Sequence, residues 1–222
     1  MDIRWLADGC IELRAAGSVV VVDPPLAPSP ALAAVIDRAD VVAVSRRALR
    51  GDDASDRPWI DGPGEYEKAG VFVIGVRTLP ARLGPTDESE LNTAFVFGVD
   101  DVAVCVLGAI GHVPAESELD ALGRVDVLVV RIGGEGRLAP AKAAEVVGKL
   151  APSVVIPIHG ADHGADHGAE PMDQPPAAEA EALAHFLAAM GMPDAGAVDS
   201  YRVVADRDAD ETTVVLLRPV LA

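Results

Sequence analysis

Three arginines lie directly after a short apolar run in the first quarter of the chain. The run from Val41 to Val44 ends at Ser45, and the polar segment behind it contains Arg46, Arg47 and Arg50. Arginine is always charged, and its planar fork of N–H donors binds carboxylate and phosphate groups in a bidentate manner. Ligand sites in open α/β sheets lie just beyond the carboxyl ends of strands. The segment therefore indicates a ligand site, and the alternative is a solvated turn in which the arginines pair with the following aspartates.

Asp23 closes another apolar run, the β-branched stretch that starts at Ser18. An aspartate at the end of a buried strand is either a carboxylate on the ligand side of the sheet or the cap of a turn. Because Asp before Pro commonly starts a turn, and Pro24 and Pro25 follow here, the turn cap is the preferred interpretation.

His159 opens a repeat of four residues that reads HGAD HGAD HGAE. The repeat adds His163 and His167, together with Asp162 and Asp166, and imidazole is a good ligand for zinc, nickel or copper. A glycine in every unit argues against a rigid helix that would hold the histidines on one face. We therefore interpret the repeat as an expanded flexible loop, with a metal site as the alternative.

The elements that must carry these residues alternate between strands and helices. The first 23 residues have the alternating pattern of a β-hairpin. Two strands joined by a helix, from Val125 to Ile132 and from Val154 to Ile158, form a βαβ unit with Ala141 to Leu150 between them. The other predicted elements are helices over 31–38, 116–122 and 175–190, a strand over 71–76, a hairpin around Asp100 and Asp101, an exposed loop over 82–91, and a final hairpin formed by 200–205 and 212–217.

Composition favours one globular domain over residues 1–222, because half of the residues are hydrophobic and 24% are charged. The 35 acidic and 18 basic residues give a net charge of -17, which argues against binding nucleic acid or an anionic membrane. Two cysteines in apolar surroundings, Cys10 and Cys105, are too few for a disulfide scaffold and are expected to be buried thiols. The N-terminus does not read as a secretory leader, so we expect a cytoplasmic protein.

Several segments, in order, resemble one family. They are ADVVAVS, GPGEYEKAGVFVIGV, FVFGVDDVAVCVLGAIGH, VDVLVVRIGG and VVIPIHG, and together they resemble the small metal-dependent hydrolases of the metallo-β-lactamase superfamily. The resemblance covers most of the chain. It implies an α/β fold of the metallo-β-lactamase type, an αββα four-layer sandwich, with the active site at one edge between the two halves.

The same resemblance implies that the metal ligands have been lost. Active members carry His-x-His-x-Asp-His after the second core strand, where this chain has Ser45 to Gly51 without a histidine or carboxylate in the ligand places. The Leu-Gly-Asp turn of the family reads Leu107-Gly108-Ala109 here, and the last histidine is retained as His159. Because a catalytic zinc needs at least three protein ligands, we expect no metal and no other cofactor.

These observations predict a pseudoenzyme: a non-catalytic protein with a binding or assembly role, whose partner is an unknown small anion or another protein. The candidate ligand-binding residues are Asp23, Arg46, Arg47, Arg131 and His159. The alternative for the arginines is that they only pair with Asp23 or with the aspartates at 52 and 53.

Two alternatives for the function stay open. The first is a hydrolase that binds zinc through the HGAD repeat. The second is a structural subunit that uses the inherited sheet surface to form a homo-oligomer or a larger complex. A hydrolase that uses Ser45 or Cys105 without metal is less favoured, because neither residue has the glycine pattern of a nucleophile elbow.

Overall fold

Two β-sheets form the centre of the molecule, and helices cover them. The structure is a computed structural model, and it describes residues 1–15, 17–50, 59–78, 91–133, 137–159, 177–192, 196–204 and 211–221. Nearly all of the predicted loop over 82–91, the aspartates at 52 and 53, and the HGAD repeat beyond His159 lie outside the described residues.

The strands are short and rich in valine, as the β-branched runs of the sequence predict. In chain order they are β1 (Asp2–Ala7), β2 (Cys10–Arg14), β3 (Val19–Val22), β4 (Val41–Ala43), β5 (Trp59–Ile60), β6 (Gly64–Lys68), β7 (Val71–Thr78), β8 (Asn92–Val99), β9 (Val102–Val106), β10 (Val127–Arg131), β11 (Val154–Ile158), β12 (Ala197–Val198), β13 (Tyr201–Arg202), β14 (Thr213–Val214) and β15 (Leu216–Leu217). The helices are α1 (Pro30–Ile36), α2 (Glu116–Leu122), α3 (Pro140–Leu150) and α4 (Ala177–Ala189), and a single 3-10 turn covers Arg47–Leu49.

Both sheets are mixed. The six-stranded sheet has the order β13-β1-β2-β3-β4-β5, in which β1, β2 and β3 are antiparallel and β3, β4 and β5 are parallel. The seven-stranded sheet has the order β14-β11-β10-β9-β8-β7-β6, and its parallel part contains β9, β10, β11 and β14. The parallel pair β10 and β11 is joined through α3, as the predicted βαβ unit requires.

Strand alternation divides the apolar side chains into three layers. One face of each sheet contributes to a core between the sheets, which includes Trp5, Phe95 and Phe97. The opposite face of the seven-stranded sheet packs against α2, α3 and α4, with Phe186 at the centre of that layer. The opposite face of the six-stranded sheet packs against α1 through Leu32. The predicted αββα four-layer sandwich is therefore confirmed.

The predicted final hairpin is wrong. Its first segment provides β13, which pairs with β1 at an edge of the six-stranded sheet. Its second segment provides β14, which pairs with β11 at an edge of the other sheet, and β15, which pairs with β12. Both segments are β-strands, but each completes a different edge, and an alternating pattern carries no information about which strand becomes the partner.

The parallel strands of both sheets bring their carboxyl ends to one edge of the sandwich. Asp23 directly follows β3, Ser45 lies two residues after the end of β4, Arg131 ends β10 and His159 directly follows β11. None of the described helices is long and apolar enough to cross a bilayer.

Candidate functional site

The centre of the candidate site is a carboxylate that joins two neighbouring strands. Asp23 has a left-handed backbone conformation with φ 51°. Its side chain accepts a hydrogen bond from the Ser45 backbone N–H at 2.5 Å and another from the Ser45 hydroxyl at 2.7 Å. The carboxylate therefore binds the segment after β4 and does not cap its own turn, so the turn-cap interpretation is wrong.

Ser45 also connects the two sheets. Its carbonyl oxygen accepts a hydrogen bond from the Thr93 backbone N–H in β8 at 2.8 Å. On the other side, a Cβ atom added at Gly108 would lie 2.5 Å from Ser45 Cβ and 2.8 Å from its hydroxyl oxygen. Position 108 has φ 68°, so both its backbone conformation and its surroundings require glycine.

Asn92 completes the polar cluster on the seven-stranded sheet. Its amide nitrogen donates to the Thr78 hydroxyl at 2.7 Å and to the Leu107 carbonyl at 2.8 Å. Its amide oxygen accepts from the Ala109 backbone N–H at 2.9 Å. This fully buried side chain thereby holds the turn Leu107-Gly108-Ala109. Its role was not predicted, because an asparagine at the start of a strand has no periodicity that marks it.

Two arginines lie in the electrostatic field of Asp23. Burial raises the pKa of this carboxyl group, and the hydrogen bonds from Ser45 and the charges of Arg131 and Arg46 oppose the rise without overcoming it. Asp23 is only 5% exposed, so these charges act in surroundings that screen them less than water does. The structure thus brings together Asp23, Arg46 and Arg131 of the predicted residues.

Arg131 reaches from one sheet to the other. It ends β10 and is 6% exposed. Its Nη1 and Cζ atoms lie 2.8 and 2.9 Å from the position that a Cβ atom would take at Gly9, in the turn between β1 and β2. The absence of a side chain at Gly9 allows the guanidinium group to pack against this turn of the six-stranded sheet.

Arg47 lies outside this cluster. Its Nε atom is 3.6 Å from the Asp61 carboxylate, and the Arg50 guanidinium group hydrogen-bonds to the same oxygen at 2.9 Å. More than half of each arginine side chain is exposed, 59% for Arg47 and 53% for Arg50. Among the described residues, both arginines therefore pair with Asp61, because the 3-10 turn that follows Arg46 carries both side chains to the surface.

His159 contacts a separate set of residues. Its Nδ1 atom is 3.3 Å from the Glu179 carboxylate in α4, and its ring makes an edge contact with Trp5, with centroids 5.0 Å apart. Trp5 is in β1, so His159 also lies against the six-stranded sheet. Glu179 was not predicted as a partner, because it follows His159 by 20 residues and a buried glutamate leaves no signal in the sequence.

This arrangement does not fit the zinc site that the fold family implies. Both oxygens of Asp23 accept hydrogen bonds from Ser45, and two guanidinium groups raise the local positive charge, which opposes a divalent cation. Among the described residues, no group of three or more His, Cys, Asp and Glu side chains is placed to bind a metal. Within the described part of the chain, the polar side chains around Asp23 form hydrogen bonds and ion pairs, and they do not form a set of metal ligands.

The buried nucleophiles near the core are inactivated by their surroundings. Both cysteines are buried and free, as the sequence predicts. Burial raises the pKa of Cys105 to about 12 and raises the pKa of Cys10 well above its ordinary value, so neither thiol forms a thiolate at neutral pH. Ser45 is 1% exposed, and its hydroxyl donates a hydrogen bond to Asp23. The hydroxyl is therefore inaccessible to a substrate.

Several solved structures have a fold similar to that of this chain. A protein from Thermotoga maritima described as a Zn-dependent hydrolase of the metallo-β-lactamase superfamily aligns with 24% identity and a TM-score of 0.68, over 98% of this chain and 99% of that one. An isothiocyanate hydrolase from Delia radicum gut bacteria aligns with 13% identity and a TM-score of 0.64, over 92% and 100%. The metallo-β-lactamase fold protein YhfI from Bacillus subtilis aligns with 8% identity and a TM-score of 0.60, over 98% and 96%.

These structural similarities, all below 25% identity, show the shared fold. No curated protein sequence matches the chain. The family model of the β-lactamase superfamily domain matches residues 2–159, which include the sheets' shared edge and the whole polar cluster around Asp23. The chain therefore belongs to the β-lactamase superfamily.

Proposed function

We propose that this protein is a pseudoenzyme of the superfamily, which has exchanged metal-dependent hydrolysis for a binding or assembly role. The observation that carries the proposal is the state of Asp23. Its two carboxylate oxygens are engaged by Ser45, and Arg46 and Arg131 supply the neighbouring charges. A carboxylate with these neighbours is a hydrogen-bond acceptor within the protein and a poor ligand for a divalent cation.

The chemistry of hydrolysis supports the same conclusion. A bound metal would supply a hydroxide at neutral pH, and holding it for catalysis takes about three protein ligands and an open position for water. The segment that corresponds to the main ligand motif offers a buried hydroxyl at Ser45 and guanidinium groups at Arg46 and Arg47. Guanidinium groups have no lone pair for a metal, because arginine stays protonated in proteins.

The ligand that best suits this edge is a small anion. Arg46 and Arg131 both act on the Asp23 carboxyl group, so two guanidinium groups lie near this edge in a chain whose net charge is -17. Arg131 is almost fully buried and Arg46 is half-buried, so their field is screened less than that of surface arginines. Guanidinium groups bind carboxylate and phosphate groups in a bidentate manner, which favours an anion that carries one of them.

The metal content of the purified protein tests the loss of hydrolase chemistry. The untagged protein is dialysed against zinc and then against metal-free buffer, and its metals are measured by mass spectrometry. We expect less than about a tenth of an equivalent of zinc and no turnover of a β-lactam, a lactone, a thioester or a phosphodiester. A full equivalent of zinc with turnover of any of these substrates would overturn the proposal.

A double variant, His163→Ala with His167→Ala, identifies the source of any retained zinc. The HGAD repeat that contains both histidines is the site of the alternative function, a hydrolase with a non-standard zinc centre. If zinc and turnover disappear together in this variant, the alternative is correct. Zinc that stays bound in the variant would have to be held elsewhere.

Calorimetric titration with inorganic phosphate and with citrate tests the anion. We expect saturable binding to the wild type that is at least about tenfold weaker in Arg46→Gln. Arg38→Gln is the matched control, because Arg38 is exposed and its side chain donates a hydrogen bond to the Ala34 carbonyl, one turn earlier in the chain. Equal binding by both variants would exclude the cleft as the anion site.

Light scattering and co-purification on the same protein test the assembly role. If the protein binds neither anion, light scattering decides whether it acts as a subunit. A defined homo-oligomer or a partner that co-purifies in fixed ratio supports the assembly role, and a strict monomer that captures no partner contradicts it.

A further inference from the structure

A second concave site lies between two helices that pack on the outer face of the seven-stranded sheet. It is a cavity of about 320 Å³ between the start of α3 and one face of α4. Pockets for small molecules in proteins begin at about this size. Leu138, Ala139 and Pro140 form one wall, and Ala178 and Ala182 form the other.

The charged groups of the cavity point to the class of ligand. Arg137 lines it and is 8% exposed, and its Nη1 atom is 3.4 Å from the Gly133 carbonyl oxygen, which belongs to another lining residue. His185 lines the opposite side from the exposed surface of α4, with Glu181 one turn before it. The buried guanidinium group favours an anionic group on its own side of the cavity, and the leucine, proline and alanine side chains favour a compact apolar body, whereas the Glu181 carboxylate lies at an exposed position on the α4 side.

The start of α3 adds to this preference. The residue before the helix, Ala139, has no side chain that could accept hydrogen bonds from the first turn, and Pro140 is the first helical residue. Helix starts carry partial positive charge. This charge supports the buried arginine beside it and does not define the site alone.

The lining of the cavity includes none of the residues of the cluster around Asp23. The two sites use different faces of α4: Glu179 contacts His159, whereas Ala178, Ala182 and His185 line the cavity. The residues 178, 182 and 185 follow the spacing of one helical face. A ligand in the cavity would therefore not contact Asp23, Arg46 or Arg131, and the inference does not depend on the proposed function.

We propose that this cavity binds a small molecule that carries a carboxylate or phosphate group on a compact apolar body. The anionic group lies beside Arg137 and the start of α3. The apolar body packs between Pro140 and the alanines of α4. Whether the natural ligand is a carboxylate or a phosphate depends on which anion fits the space beside Arg137.

The probes are benzoate and phenyl phosphate, added to the full chain labelled with ¹⁵N, and binding is measured from amide chemical shifts. We expect at least one probe to saturate at millimolar concentrations and to move amide signals of residues 138–142 and 178–185. The probe with the higher affinity identifies the anion. The absence of saturation by both probes up to about 20 mM would overturn the proposal.

A pair of matched variants tests the location. Ala178→Leu places a larger side chain in the cavity, and Ala180→Leu makes the same change at an exposed position of the same helix that does not line it. We expect Ala178→Leu to weaken binding at least about tenfold and Ala180→Leu to leave it unchanged. Equal affinity of the two variants would contradict the assigned site.

A charge variant tests the recognition of the anion. Arg137→Gln should also weaken binding about tenfold or more, and His185→Gln offers a second test at an exposed position where folding is not at risk. Retention of full affinity in both variants would overturn the role of the Arg137 and His185 side chains in binding. Arg46→Gln should have no effect on this cavity, which distinguishes failure here from failure of the cleft proposal.

Discussion

Arginines in two neighbouring stretches of the chain have different roles, one beside a buried carboxyl group and two at the surface. Ser45 and Arg46 belong to the buried cluster around Asp23, whereas Arg47 and Arg50, at most five residues later, pair with Asp61 at the surface. Exposed ion pairs contribute about 0–1 kcal/mol, because water screens the charges and the side chains lose freedom. Leaving a buried polar group without its partner costs about 1–3 kcal/mol for each group. Burial therefore decides which of these residues matters to the fold.

Among substitutions in the buried cluster, Asp23→Ala should lower the free energy of unfolding the most. The change leaves the Ser45 N–H and hydroxyl without their acceptor, removes the carboxylate beside Arg46 and Arg131, and places alanine at φ 51°. We expect the free energy of unfolding in urea to fall by about 3–5 kcal/mol.

Asp23→Asn is the control for this variant. Asparagine tolerates the left-handed conformation and still offers an oxygen to the Ser45 N–H, so its loss of stability should be clearly smaller. If Asp23→Ala and wild type unfold at the same urea concentration, the cluster does not hold the two strands together.

Gly108→Ala should give the next largest effect. The new Cβ atom would lie 2.5 Å from both Ser45 Cβ and Asn92 Oδ1, at φ 68°. Gly70→Ala is a matched control, because its φ of 74° is similar and no atom lies within 4 Å of the added Cβ. We expect about 1–2 kcal/mol of backbone strain in Gly70→Ala and about 1–3 kcal/mol more in Gly108→Ala from overpacking. Equal losses would mean that the cluster can relax around a methyl group.

Much of the fold could be predicted from local patterns. The helix over 116–122 and the strand over 154–158 have the predicted bounds, because a short amphipathic or β-branched segment carries its own signal. The partners of the last strands could not be predicted, since β13 and β14 join edges that lie far away in sequence. Pairing between distant segments is decided by the assembled sheets.

The candidate site could be predicted only in outline. Asp23 and Arg131 were found because polar residues that end buried strands stand out. The residue type of Arg47 does not indicate where its side chain lies. A 3-10 turn begins at this residue and carries the side chain toward Asp61. Asn92 and Gly108 remained unrecognised as parts of the cluster, since an amide and a glycine at the ends of strands become informative only when their neighbours are known.

The pH dependence of stability sharpens the difference between buried and exposed carboxylates. Because burial raises the pKa of Asp23 above its ordinary value of 3.8, the folded protein keeps this proton when the unfolded chain has lost it. Its contribution to stability is complete below pH 3.8 and is lost as the pH rises through the folded pKa. The free energy of unfolding of wild type, minus that of Asp23→Asn, should therefore fall between pH 4 and the folded pKa and then stay level. A difference that rises with pH would show that Arg131 and Arg46 outweigh burial.

The smallest effect is expected at the surface, in Arg50→Gln. Arg50 hydrogen-bonds to Asp61 at 2.9 Å, but its side chain is 53% exposed and Arg47 stays beside the same carboxylate. We expect the free energy of unfolding to fall by less than about 1 kcal/mol, and the loss to shrink further in 0.5 M salt, where the Debye length is only a few ångströms. Arg131→Gln is the buried counterpart and should cost more than Arg50→Gln at both salt concentrations, because salt screens a side chain that is 6% exposed far less. If the two variants lose the same stability and respond equally to salt, burial does not separate the two groups of arginines, and the cluster around Asp23 is no stronger than a surface ion pair.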